Sequence, residues 1–243
     1  MTIEAVLFDW GGTLTPWRTI DVPAIWAEVA RTLVTEGDGA AGNGARPDAA
    51  SLAERLAAAD AELWQRAKTD YRAFTLDEVF AQAGTEPTPA ALATLHEQWV
   101  PATHTDPQAP DMLAALRARG IRVGILSNTP WPRAWHDHWL QRDGVLDLLH
   151  GAVYTSDLSW NKPHPDTFHA AMRAVEVSDP RRCIYVGDRL FEDVWGAQRL
   201  GMRAVHIPHS DIPADQRGHS QGQPDATIQE LDELPALVEE WHA

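Results

Sequence analysis

A doubly wound α/β fold with a helical domain inserted near its start is the architecture this sequence predicts, on three observations. Short continuous apolar runs at Ala5-Val6-Leu7-Phe8, Ile121–Leu126, Cys183-Ile184-Tyr185-Val186 and Ala204–Ile207 read as strands buried on both faces. From Asp106 onward such runs alternate with helical periodicity, which implies right-handed crossovers and a parallel sheet. Between the first and second runs the spacing is helical throughout. The expected division is therefore a core made from residues 1–15 and 107–243, with a helical cap over 16–106.

Taken in order, the first strand is followed by Asp9-Trp10-Gly11-Gly12-Thr13-Leu14, then by apolar residues at helical spacing from Val22 to Val34. Gly37 to Ala50, rich in Gly and Ala, reads as a loop. It contains Gly37-x-Gly39-x-x-Gly42, but a dinucleotide-binding turn needs a strand before it and a helix directly after, and neither is present. Ser51-x-x-Glu54 reads as a capping box opening a helix through Leu52, Leu56 and Leu63. Thr75-x-x-Glu78 opens a third helix, and Thr88 with Pro89 a fourth that ends near Trp99. Further helices are expected over Met112–Arg119, Trp131–Gln141, Asp166–Val175 and Glu192–Leu200, with Gly120 and Gly201 closing two of them. Ala204–Ile207 is the last clear strand, Pro208–Pro224 a polar loop, and Thr227-x-x-Glu230 the start of a final helix.

The composition narrows the function. A hydrophobic share of 44% over 243 residues supports a sizeable core, and no apolar run is long enough to span a membrane. No basic segment precedes the first strand, so no signal peptide is expected. Cys183 is the only cysteine, which excludes an internal disulfide and suits a reducing cytoplasm; its strand setting predicts a buried packing thiol. A net charge of -15 argues against nucleic acid or an anionic membrane as partner. An anionic substrate would have to be met by local cations. Of the 20 basic residues only Lys68 and Lys162 are lysines.

Polar residues gather where strands should end, the place where ligands bind in open α/β sheets. They are Asp9 and Thr13, then Ser127 and Asn128, then Lys162 within Asn161-Lys162-Pro163-His164-Pro165-Asp166, and finally Gly187-Asp188-x-x-x-x-Asp193. This set, in this order, resembles the haloacid dehalogenase superfamily, in the branch that carries a helical cap between its first two motifs. The likeness covers residues 3 to about 207, the cap less specifically than the core.

The resemblance implies a chemistry. Asp9 would attack phosphorus and form an aspartyl-phosphate, while magnesium offsets the charge between Asp9, the Gly11 carbonyl and Asp188. Asp193 would join the metal site by orienting a water or a ligand. Ser127 and Lys162 would bind the phosphate, with Gly12, Thr13 and Asn128 completing its cradle. A small phosphorylated molecule is the implied substrate.

The sequence departs from the family's phosphatases at Gly11, where they carry a second Asp that protonates the leaving oxygen and later activates water. Such groups contribute about 10²–10⁴-fold. A phosphatase can manage without it if the leaving group needs no proton or another residue supplies one; His164, beside Lys162, is the candidate. Phosphonoacetaldehyde hydrolases of the superfamily also carry a small residue there and use a cap lysine as a Schiff base, which would be Lys68. A third alternative is a non-catalytic member that binds a phosphorylated ligand, against which the full set of motif residues counts.

Eleven tryptophans exceed ordinary usage. Trp10, Trp17, Trp131 and Trp160 lie beside motifs and could line an apolar pocket or simply fill the core; Trp26, Trp64, Trp99 and Trp195 read as packing. The 11 histidines suggest no tetrahedral zinc set, since His136 and His138 cannot share a helix face and His206 with His209 lacks a cysteine partner.

Overall fold

The fold is described from a computed structural model covering residues 2–37, 48–208 and 220–242. β1 is Ala5–Phe8, and all four of its residues are buried. A strand apolar on both faces belongs in the middle of a parallel sheet, and β1 lies between β2 (Arg122–Ser127) and β4 (Cys183–Gly187). The six strands run in the order β3-β2-β1-β4-β5-β6, with β3 at Gly151–Tyr154, β5 at Arg203–His206 and β6 at Ala226–Thr227. All pairings are parallel. Phe8 is level with Ile125 on one side and Val186 on the other, so Asp9, Ser127 and Gly187-Asp188 emerge at one edge.

The cap consists of α1 (Val22–Gly37), α2 (Ala49–Asp70), α3 (Leu76–Gln82) and α4 (Pro89–Trp99). Leu52, Leu56, Ala59, Leu63 and Ala67 form a stripe at spacings of three and four along α2. That stripe packs on Ile25, Trp26, Val29 and Ala30 of α1 in a core separate from the two that flank the sheet. In the sheet domain, α5 (Ala109–Ala118), α6 (Arg133–Arg142), α7 (Pro165–Ala174) and α9 (Leu234–His242) are regular helices. A π-helical turn at Leu190–Trp195 leads into the short α8, Gly196–Gln198.

Several local expectations change. α2 is capped by Asp48, whose carboxylate accepts from the Ala50 and Ser51 amides, so the helix starts before the Ser51-x-x-Glu54 box. An Asp at the cap outcompetes a Ser three residues on because it satisfies the first free N–H groups. Thr227 lies in β6, and the last helical segment is opened by a Glu230–Glu233 capping box. α5 begins at Ala109 and α6 at Arg133, where Pro110 and the preceding Pro132 set the backbone. Within Glu192–Leu200 the first turn is π-helical and the following α-helical stretch is only Gly196–Gln198. β3 and β6 were not foreseen. The glycine-rich segment's residues 38–47, together with 209–219 of the polar loop, lie outside the described residues.

Candidate active site

The chain leaves β1 through a tight loop. The Gly12 amide donates to the Thr15 carbonyl at 2.7 Å and Thr15 N–H to the Trp10 carbonyl at 2.8 Å. Gly12 has φ of +88° and sits so close to Asp188 that a Cβ there would lie 2.5 Å from Oδ2. Only glycine permits both the left-handed backbone and that approach. Gly11 differs: an added Cβ would meet nothing within 4 Å.

Four charged side chains from three loops converge. The Lys162 ammonium lies 2.8 Å from Asp9 Oδ1 and 2.8 Å from Asp193 Oδ1, and all three side chains are nine-tenths or more covered. Asp9 Oδ1 also accepts the Trp10 amide at 2.8 Å, which leaves Oδ2 as the less committed oxygen. Asp193 Oδ2 accepts the Arg189 amide at 2.9 Å. The π-turn widens the helix so that Asp193, five residues past Asp188, comes round to the same site. Asp188 accepts from the Thr13 hydroxyl at 3.5 Å, lies 3.3 Å from Arg189 Nε, and its carbonyl meets His206 Nε2 at 3.1 Å.

Electrostatics follow from this crowding. Burial pushes the Asp9 carboxyl up to about 6, with Lys162 opposing and Asp193 adding to the rise. Burial and the two neighbouring carboxylates hold Asp188 well above the ordinary carboxylate range. Burial alone would lower Lys162, but Asp193, Asp9 and Tyr185 overcome it and keep the ammonium charged well above its usual range.

Ser127 is buried at the end of β2. Asn128 is engaged with the lysine loop: its Oδ1 accepts the Lys162 amide at 2.8 Å and its Nδ2 donates to the Lys162 carbonyl at 3.3 Å. His164 caps α7 through Nδ1, which accepts the Asp166 amide at 3.3 Å, and stacks on Trp160 at 4.4 Å. Lys68 is exposed on the last turn of α2. Trp10, 4% exposed, packs in the core against His136, Trp139 and the partly exposed Trp131. Trp17 receives the Arg189 guanidinium 5.6 Å from its ring centre.

Comparison with known proteins places this geometry. A family profile described as haloacid dehalogenase-like hydrolase matches residues 3–201. The chain belongs to the haloacid dehalogenase-like hydrolases. Among curated relatives, the glyceraldehyde 3-phosphate phosphatase of Methanopyrus kandleri is 29% identical over 168 residues, 68% of this chain and 71% of that protein. The one from Pyrococcus abyssi is 32% identical over 99 residues, 41% of this chain and 40% of that protein. The phosphoglycolate phosphatase of Escherichia coli is 28% identical over 144 residues, covering 54% and 50%. The chain thus spans about half or less of the length of the last two. Among solved structures, a HAD phosphatase from Thermococcus onnurineus aligns with a TM-score of 0.64 at 23% identity, over 97% of this chain and 98% of that one. A 2-haloacid dehalogenase from Pseudomonas syringae aligns at 0.63 and 24% identity, over 99% and 100%. Both share the fold.

This haloacid dehalogenase-like hydrolase also gathers a cluster of carboxylates whose chemistry fits a cation. Oxygens of Asp9, Asp188 and Asp193 all lie within 4.8 Å of one another. Asp188 Oδ2 is buried and accepts no hydrogen bond, although it is ion-paired with Arg189 Nε at 3.3 Å. Three buried carboxylates exceed the positive charge of Lys162 and Arg189, and hard oxygen donors suit magnesium. Among the described residues no helix is long and apolar enough to cross a membrane. The motif reading missed Tyr185, Arg189 and His206 as members of this site. A phenol in an otherwise aliphatic buried strand was the one available signal, since a buried hydroxyl must find a partner.

Proposed function

We propose that this hydrolase is a magnesium-dependent phosphatase of small organic phosphates acting through an Asp9 phospho-intermediate. The observation that carries the reading is Lys162 bridging Asp9 and Asp193 beside Asp188, which pairs one ammonium with more buried negative charge than it can neutralise. Magnesium, held by Asp9, Asp188 and the Gly11 carbonyl with help from Asp193, would supply electrostatic relief for the incoming phosphoryl charge. Asp9 Oδ1 is tied by Trp10 and Lys162, so Oδ2 is the oxygen free to attack. The bond from Oδ2 to phosphorus forms as the ester bond breaks, and the electron pair leaves on the substrate oxygen. Ser127, Lys162 and the Gly12-Thr13 loop would hold the phosphoryl oxygens, with Asn128 keeping the Lys162 peptide in place. Water then attacks phosphorus, releasing phosphate and restoring the carboxylate.

Gly11 bears on the substrate. No carboxylate stands there to protonate an alkoxide, so aryl phosphates, acyl phosphates and anhydrides are favoured over alkyl esters. The curated relatives' names bring glyceraldehyde 3-phosphate and phosphoglycolate into the same test. A panel containing these, an aryl phosphate and an acyl phosphate, assayed with and without magnesium, decides it. Magnesium-dependent release of phosphate, with a burst near one equivalent on rapid mixing with the aryl ester, is expected. No release from any member with ligand binding retained would favour the non-catalytic alternative.

A further inference from the structure

The Lys162 ammonium donates to Asp193 Oδ1 at 2.8 Å and to the Tyr185 hydroxyl at 3.0 Å, and it is ion-paired with Asp9 Oδ1 at 2.8 Å. The hydroxyl donates its own hydrogen bond to the Leu126 carbonyl at 2.9 Å, one residue before Ser127. Tyr185 is fully buried in β4 and its ring meets Phe168 at 5.1 Å, a packing role that phenylalanine would serve equally. The hydroxyl therefore has one evident task, joining the Lys162 ammonium to the end of β2.

We propose that Tyr185 is a positioning residue, the anchor that keeps Lys162 in place while Asp9 carries the phosphoryl group; this rests on the phosphatase reading. Esterification at Oδ2 leaves Asp9 Oδ1 beside Lys162 but removes its charge, so of the two carboxylates only Asp193 keeps a full charge while the ammonium also meets the phosphoryl group. The charged partners of Lys162 thus change within every turnover. The Tyr185 hydroxyl is neutral, unchanged by the chemistry, and pinned at its far side by Leu126, so it holds the ammonium at a fixed point. The step most dependent on it is hydrolysis of the phospho-intermediate.

Tyr185→Phe removes the hydroxyl and keeps the ring. It should lower kcat about tenfold, a modest displacement effect, with KM changed by less than about twofold. A second readout needs no turnover. The buried Lys162 ammonium should give a slowly exchanging ¹H–¹⁵N signal at neutral pH, assigned by its loss in Lys162→Arg, and Tyr185→Phe should make it exchange at least about tenfold faster because one N–H is left unpartnered. An unchanged signal overturns the proposal, as does a kcat within twofold of wild type or one that falls only in step with melting temperature. If the wild type releases no phosphate from any substrate, the phosphatase reading fails, and the ammonium signal still decides whether Tyr185 anchors Lys162.

Discussion

Gly11 is the residue at which chemistry and space disagree, since it offers no side chain to donate a proton yet leaves room for one. Its backbone is not left-handed and a Cβ there is unobstructed. Gly11→Asp should therefore be accepted by the loop, abolish the burst and raise turnover of alkyl phosphates by about 10²-fold if the carboxylate reaches the leaving oxygen. Gly187 is the opposite case. A Cβ there would lie 2.3 Å from Asp193 Cγ, so Gly187→Ala should push Asp193 off Lys162 and reduce kcat by about 10²-fold. Steady-state kinetics on one aryl and one alkyl ester separates the two. Asp9 and Asp188 were legible because they stand just beyond apolar runs, whereas Lys162 and Asp193 were legible only within the motif segments Asn161–Asp166 and Gly187-Asp188-x-x-x-x-Asp193. Tyr185 was not, because a strand's alternation says which face a ring takes and nothing about what its hydroxyl meets. Asn128 showed only its position: the bond to the Lys162 peptide spans 34 residues of sequence.

Within the cap, α1 and α2 share a half-buried acid. Trp26 Nε1 donates to Asp60 Oδ2 at 3.2 Å, and burial nonetheless pushes the Asp60 carboxyl up to about 6. The folded-state value lies above the ordinary 3.8, so folding favours the protonated form. That contribution is whole below about 4 and is lost as pH rises through about 6. Asp60→Asn, which keeps an acceptor for Trp26, should raise stability by about 2 kcal/mol at pH 8 and leave it nearly unchanged at pH 4. Urea denaturation at the two pH values measures the difference. Helices with strong stripes and a Thr cap, such as α3 and α4, were readable to their first residue. β3 was hidden because four residues, two of them Gly and Ala, carry too little periodicity to register against a loop. The π-turn was hidden because nothing in Leu190–Trp195 distinguishes it from an α-helix; the demand that Asp193 face Lys162 comes from tertiary structure.

For the molecule as a whole, the excess of carboxylates at the sheet edge should couple cation binding to stability. Saturating magnesium should raise the melting temperature by about 5 °C, the shift expected for a ligand at roughly a hundred times its dissociation constant in a chain of this size. Asp188→Asn should cancel that rise, which differential scanning calorimetry would show. A parallel-sheet core with a helical cap was legible in the alternation of periodicities, but the contacts between them were not. The segment after α2 pairs with the strand of chain that leads to Lys162: Arg72 forms an antiparallel bridge with Trp160, the Asn161 amide donates to the Tyr71 carbonyl at 2.7 Å and Ala73 N–H to the Ser159 carbonyl at 3.1 Å. Farther along, Leu76 N–H donates to the Pro130 carbonyl at 3.1 Å, beside Ser127 and Asn128. The insert is thus stitched to both loops that present Ser127, Asn128 and Lys162. A chimera that exchanges caps between relatives to change substrate would have to transplant residues 159–161 with the donor's linker, because a foreign linker would leave the Lys162 loop without its template.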